Sequence, residues 1–577
     1  MSHEIDRSVI ATGLRGEIAH RDLIDHSQRF ERALYAVAEG VWCYVGGGTA
    51  NISFVETGNG LIAIDSGDCR EEAAEALAAV REVTDAPLRA MLWSHFHYVQ
   101  GTQVYVDEAA TAGHELEIWA HERGPGLLAD IGAEVGPIRL RGLVGQFALA
   151  IDGTGPDALP NVGIGPFWKD PDRESTTNGY VAPNRFIDHD GEYTIAGERL
   201  HLTQIDSDSE DTLVIWLPDR RVCINNHLWP ALFNIFPIRG EPYRDPRVRL
   251  EAFDLMLSYE PDHLVGVHGP PISGRDEVRS ALVDYRDSIQ FLWDQTVRGM
   301  NAGLTLGQLV ESVRLPERFR DNYFTTEFYG MAQHHVRQIH GGVRGWFDGD
   351  SANLFPLAEA DEARRIVDGF GGRDTVATQA RDALDADEAA WAAQLATYLL
   401  RLDADDGDAR EIKAGALRLI GRTVTSANVR SWVMTQAAEL EGTTSLDRFR
   451  VHHTSTRRVL QAEPQVYVHA LKVQLDPAKA DFECGVQWHL TGWSATDPAT
   501  DASLRIRHGV AVPGTKDAAA DVTLTLDRRT WAALYAGAID AATAEHDGAL
   551  RITGDRSVLP RFFAAFDQPH LAVAFSE

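Results

Sequence analysis

Short apolar runs punctuate the first half of the chain: Gly40-Val-Trp-Cys-Tyr-Val45, Ile52-Ser-Phe-Val55, Leu61-Ile-Ala-Ile64, Leu88 to Trp93, Leu213-Val-Ile-Trp-Leu217 and Leu264-Val-Gly-Val267. Runs this brief, bounded by Gly, Asp and Pro, predict buried strands rather than helices. Helix-like stretches such as Glu71 to Val83 fall between them, so the region from about 36 to 275 is expected to be an α/β sandwich. A polar, weakly helical arm is expected over residues 1 to 30. A long Gly-, Pro- and Asp-rich loop region of the kind that lines pockets is expected over 137 to 190.

The period then changes. From 276 to about 440 alanine is dense and spacing helical, predicting helices over Arg279 to Met300, Thr305 to Val313, Ala360 to Val367, Val376 to Leu400, Ala409 to Leu419 and Ser426 to Glu441. Beyond 445 the pattern predicts strands over Val466 to Leu475, Phe482 to Leu490, Ala502 to Gly509 and Val522 to Leu526. Helices follow over Trp531 to Ala542 and Val558 to Phe566. Three domains result: 1–275, 276–442 and 443–577. Asp403-Ala-Asp-Asp-Gly-Asp408 lacks calcium-loop spacing and reads as a solvated turn.

Composition narrows the partners. A formal charge of −31 over 577 residues excludes nucleic acid and anionic membrane surfaces, which need basic faces. No apolar run is long enough for a membrane span. The start, Met1-Ser-His-Glu-Ile-Asp-Arg7, has no signal-peptide pattern, and Cys43, Cys69, Cys223 and Cys484 are scattered; both point to the cytoplasm and free thiols.

The candidate chemistry begins at Ser94-His95-Phe-His97-Tyr98-Val99-Gln100-Gly101, where i and i+2 imidazoles follow a buried strand and share a face. Upstream, Asp65-Ser-Gly-Asp68 closes another strand. Downstream come Asp206-Ser-Asp208-Ser-Glu210-Asp211, then Asn234-Ile-Phe-Pro-Ile-Arg239-Gly240, then Val267-His268-Gly269-Pro270, then Gly345-Trp-Phe-Asp-Gly-Asp-Ser-Ala-Asn-Leu-Phe-Pro356. This ordered set resembles the alkylsulfatase family of the metallo-β-lactamase fold. The resemblance implies an αββα sandwich, an all-helical dimerisation domain and a C-terminal α+β sterol-carrier-like domain. It also implies a homodimer acting on a small amphiphilic anionic ester.

The resemblance implies further two metals held by His-x-His-x-Asp-His, a later acid, a bridging carboxylate and a late His. Here His95 and His97 match, while Val99 and Gln100 stand where the Asp and second-site His belong. Asp208 matches the later acid, with Glu210 the alternative one pleat on. Asn226 falls on the bridging position, with His227 beside it as a substitute, and His268 is the late His. One divalent cation is therefore expected, zinc first, with iron or manganese as other candidates, and the second site weakened or lost. Tyr98 and Gln100 are left as possible recruits. Asn234 and Arg239 match the sulfate-binding segment, a guanidinium fork suiting two sulfate oxygens. Tyr180 is a second anion contact, and the other reading of Arg239 is an ion pair with Asp245 or Glu241. His268 is the candidate acid for a leaving alcohol. Two other functions fit these residues: a mononuclear non-haem iron enzyme using oxygen, and a non-catalytic lipid-binding dimer. His334, His335 and His340 read as structural or pocket-rim residues, not ligands.

Overall fold

The computed structural model describes residues 5–576 except 131–132, 167–172, 174, 236–237, 451, 453–454, 464, 493–498 and 515–519. By contacts it divides into two units: residues 1–124 with 142–445, and residues 125–141 with 446–577.

In the first unit two sheets face each other. One runs, in both sequence and spatial order, Ala33–Ala38, Val41–Val45, Ile52–Thr57, Gly60–Ile64, Leu88–Leu92, Glu117–His121 and Arg185–Ile187. Its first four strands form an antiparallel meander. The last three are parallel additions, reached through the helices Arg70–Arg81 and Thr102–Thr111. The other sheet runs Gly191–Ile195, Glu198–Gln204, Leu213–Leu217, Val222–Asn225, His263–Gly266 and Ile272–Ser273. A single core of Val41, Ile62, Leu92, Leu202, Ile215, Ile224 and Val265 fills the space between them. The outer face of the second sheet, through Val214, Trp216 and Cys223, buries against the helices Pro246–Tyr259 and Arg275–Asn301. That is the αββα sandwich expected, and it follows from strands whose residues are apolar on both faces.

The helical part follows the 3.6 period with local corrections. The single helix expected over Val376 to Leu400 is two, Arg373–Asp385 and Ala389–Leu402, because Asp387 turns left-handed (φ 64°) between them. The helix Ala332–Arg344, absent from the expected set, carries His334, His335 and His340. His335 stacks on Phe233 with centroids 4.4 Å apart. Asp406 caps the helix Gly407–Thr423 and pairs with Arg373, which gives the acidic turn a structural role. Between 345 and 357 the aromatic side chains Trp346 and Phe355 stand 80% and 91% exposed. Residues 1 to 30 hold a small hairpin, Ile10–Thr12 with Ile18–His20, and the helix Arg21–His26. The region 137–190 opens inside the helix Gly136–Gln146; part of it lies outside the described residues.

In the second unit a five-stranded sheet, ordered Val510–Pro513, Thr500–Arg507, Glu483–Thr491, Val522–Asp527 and Leu550–Gly554, shares one core with its helices. Here the strand expected over Val466 to Leu475 is instead the helix Val466–His469 running into a 3-10 turn. Tyr467, Val468, Ala470, Leu471 and Gln474 are its buried residues, and the spacing 467, 468, 471, 474 is helical rather than alternating. The helix expected over Trp531 to Ala542 breaks at Gly537 (φ 71°) into Arg528–Tyr535 and Ala541–His546. All four cysteines are free and buried. Among the described residues no helix is long and apolar enough to cross a membrane.

Candidate metal centre and anion pocket

Ligand sites in α/β sheets form beyond the carboxyl ends of parallel strands. Gly60–Ile64 is parallel to Leu88–Leu92, and Val222–Asn225 is parallel to His263–Gly266. The loops that follow these four strands carry Asp65 and Asp68, then Ser94, His95 and His97, then Asn226, His227 and Trp229, then His268. Asp65 is held left-handed (φ 63°), a conformation costing about 1–2 kcal/mol for an ordinary residue. It is offset by two hydrogen bonds: Ser94 N–H donates to Asp65 Oδ1 (2.8 Å) and Ser94 Oγ–H to Oδ2 (2.6 Å). Because the Ser94 proton is committed to Asp65, the Ser94 oxygen accepts from His95 Nδ1–H (2.8 Å). This chain fixes the His95 tautomer and leaves the Nε2 lone pair facing the site, the support metal-binding imidazoles need.

Asp208, on the loop between Glu198–Gln204 and Leu213–Leu217, meets both imidazoles. His97 Nδ1 lies 3.2 Å from Asp208 Oδ2, and His95 Nε2 lies 3.7 Å from Oδ1. Ligand atoms of His95, His97 and Asp208 all fall within 4.8 Å of one another. A tetrahedral zinc with bonds near 2.0–2.2 Å sets its ligand atoms about 3.3 Å apart, so this donor set fits such an ion. Burial holds His95 neutral, pushing its pKa down to about 3. Burial also pushes the Asp208 carboxyl up, but His95, His97 and Arg244 together hold it well below the usual range. The group thus offers two imidazoles and one carboxylate.

The remaining candidate positions lie outside this three-residue group. Asn226 is fully buried, and Trp229 Nε1–H donates to its Oδ1 (3.1 Å). Its NH2 therefore turns toward Asp208 Oδ1 (2.7 Å) and His95 Nε2 (3.4 Å). A donor stands where a bridging carboxylate would accept. His227 is outside the ligand group; its ring faces Phe253 at 6.5 Å and neither ring nitrogen has a partner among the described residues. Arg249 Nη2 donates to the His227 carbonyl (2.8 Å) and stacks over Trp229, bracing this loop from behind. His268 is also outside the group. Its Nδ1–H donates to Thr49 O (2.9 Å), while Nε2 is buried without a partner among the described residues, and its ring lies against Tyr98 at 5.4 Å. Burial pushes His268 down to about 4, which favours an Nε2 that accepts a proton or hydrogen bond. Glu210 contributes its backbone carbonyl to Gln204, and Gln100 accepts from Asn178.

The anion segment folds around an ion-pair triad. Arg239 is 8% exposed and Asn234 fully buried. Glu241 Oε1 accepts from Arg239 Nε at 2.6 Å, and its Oε2 accepts from Arg244 Nη2. Arg244 Nη1 also donates to Asn234 O (3.2 Å). Burial opposes charge on Arg239 and Glu241, yet Arg239 and Arg244 hold the Glu241 carboxyl down to about 2, and Glu241 keeps Arg239 above its usual value. Asp245 is taken instead by the N-terminus of Pro246–Tyr259 and by Arg247. Tyr329, from the helical part, lies near Arg239 and accepts from Gln146 (3.2 Å). Any side chain at Gly142 would collide with the Arg239 carbonyl, which explains a glycine inside that helix. Tyr180 is half-buried and packs on Trp93, 6.1 Å between centroids, beside the histidine loop rather than on the arginines.

Four residues were not singled out by the sequence. Arg244 lies five positions after Arg239 with no periodic cue. Tyr329 comes from another part of the chain. Ser94 and Asp68 sit inside the quoted motifs, yet only contact reveals their use. Burial pushes Asp68 up to about 7, partly offset by His97, Thr49 and Arg173.

Two family models match the chain: Alkyl sulfatase dimerisation over residues 305–443 and Alkyl sulfatase C-terminal over 453–574. The chain is 32% identical over 536 residues to a linear primary-alkylsulfatase of Pseudomonas sp. (strain ATCC 19151), spanning 90% of this chain and 99% of that enzyme. It is 28% identical to an (R)-specific secondary-alkylsulfatase of Pseudomonas sp., spanning 90% and 78%. Among solved structures it superposes on the stereoselective inverting sec-alkylsulfatase Pisa1 from Pseudomonas sp. with a TM-score of 0.83 at 25% identity, covering 98% of this chain and 92% of that one. These likenesses favour neither the oxidative nor the carrier reading.

Proposed function

Since the chain belongs to the alkylsulfatase family of metallo-β-lactamase-fold hydrolases, we propose that it hydrolyses the sulfate ester of a small amphiphilic anion to an alcohol and inorganic sulfate. His95, His97 and Asp208 hold one divalent cation, zinc by preference, and Asn226 leaves the second site without its bridging anion. Bound there, the cation supplies Lewis acidity that brings the pKa of water toward neutrality. The observation that carries this reading is the convergence of His95, His97 and Asp208, whose ligand atoms lie within 4.8 Å of one another. Arg239 and Arg244 receive the sulfate oxygens, with Asn234 beside them. The Asp65–Ser94–His95 chain keeps the Nε2 lone pair aimed inward. His268 Nε2, an acceptor in a buried wall, orders water rather than donating to the leaving group. Sulfate is a weak base, so its departure from carbon needs no strong acid.

The division into 1–275, 276–442 and 443–577 belongs to this proposal, as do a cytoplasmic setting and a homodimer that covers Trp346 and Phe355. Protein purified without chelator is incubated with decyl sulfate, and sulfate is quantified. Release that chelator abolishes and zinc restores is expected. Metal-loaded, folded protein that releases no sulfate overturns the reading.

A further inference from the structure

Glu241 has no role in the chemistry above, yet it pairs with both arginines of the pocket. It lies between two nearly buried guanidinium groups: Arg239, Glu241 and Arg244 side chains are 9%, 17% and 10% exposed. On Arg239 it takes only Nε, side-on. Neither Nη group of Arg239 has an acceptor among the described residues, so the outer fork stays available to a second anion. The triad therefore offers a sulfate group two cations and one resident anion, a net charge of +1.

That balance matters because substrate and product differ in charge. An alkyl sulfate is a monoanion, whereas the sulfate released from it is a dianion at neutral pH. Removing the resident negative charge would add one unit of attraction for the ester and two for free sulfate, since Coulomb energy scales with the product of charges. In a site withdrawn from water that difference is large enough to trap product. We propose that Glu241 is a specificity-determining residue: a resident counter-ion that matches the Arg239–Arg244 pocket to monoanionic sulfate esters and lets dianionic sulfate leave.

The inference rests on Arg239 being the anion receiver. The test uses the full-length zinc-loaded protein, measuring KM for decyl sulfate and the competitive Ki of sodium sulfate. Glu241→Gln is expected to lower Ki for sulfate at least tenfold while KM changes threefold or less. Glu241→Asp, which keeps the charge, is expected to hold both within threefold of the parent. Arg244→Gln, which removes a cation, should raise Ki more than KM, and it supports the idea independently if Glu241→Gln does not fold by circular dichroism. An unchanged or raised Ki in folded Glu241→Gln overturns the inference, as does an Arg244→Gln protein whose Ki and KM move together. Arg239→Met separates the two levels. A tenfold rise in KM there, with Ki unmoved in Glu241→Gln, sinks only the role of Glu241; no change in KM or Ki in Arg239→Met sinks the anion assignment itself.

Discussion

Ser94→Ala removes one oxygen from a fully buried site, and its consequence can be worked through atom by atom. The Ser94 oxygen is the acceptor for His95 Nδ1–H, and its proton satisfies Asp65 Oδ2. The loss of volume is too small for a cavity penalty to dominate. What remains is an imidazole N–H with no acceptor in a buried wall. In the metal-free protein the ring can turn to find another partner. To bind a cation through Nε2 it must turn back and bury Nδ1–H unsatisfied, a cost of about 1–3 kcal/mol. That cost falls on binding, so zinc affinity should drop about 5- to 150-fold, a span that brackets the roughly 10- to 100-fold usual for lost supporting hydrogen bonds. Competition against a chromophoric chelator measures it directly. Ser94→Thr, which keeps the hydroxyl, should stay near the parent value. A Ser94→Ala protein that is folded and binds zinc within twofold of the parent would falsify the assignment of His95 Nε2 as a ligand atom.

Other outcomes follow from the same geometry. Asp208→Ala removes the only carboxylate of the donor group and should abolish both zinc retention on desalting and sulfate release; stoichiometric zinc in that variant contradicts the site. His26 is buried against Phe328, bonds Gly163 O, and burial pushes it down to about 4, with Arg29 opposing its protonation. Between pH 6.5 and about 4 the unfolded chain binds this proton and the folded one does not, so stability rises with pH and is lost on acidification. The loss for one such histidine between pH 7 and 4.5 is about 2 kcal/mol. His26→Gln should therefore show a flatter acid limb in denaturant titrations, and parallel limbs would contradict this. Trp346→Asp with Phe355→Asp places charges on two exposed aromatics, each worth about 2 kcal/mol or more if it anchors an interface. Sedimentation should then show monomer where the parent is a dimer, and a dimer that persists removes this face from the interface.

How far the chain could be read in advance depended on the range of the forces involved. Alternation and apolar runs are local, so the two sheets of the sandwich, the change to helices near 276 and the His95–His97 pair after Leu88–Leu92 were legible. Local pattern failed where a single backbone angle decided, as at Asp387 and Gly537, or where β-branched and aromatic residues sat on helical spacing, as at Val466 to Leu475. The partners of the site were a different matter. Asp208 meets His97 across 111 residues, and His268 meets Thr49 across 219. Whether Arg239 faced solvent or an internal carboxylate depended on Glu241 being folded back and shared with Arg244. Hydrogen bonds and ion pairs reach only a few ångströms, so which groups meet is set by the loops that converge past the strand ends. The residue types and their order came from the chain alone; their protonation, pairing and orientation exist only once burial and neighbours act on them.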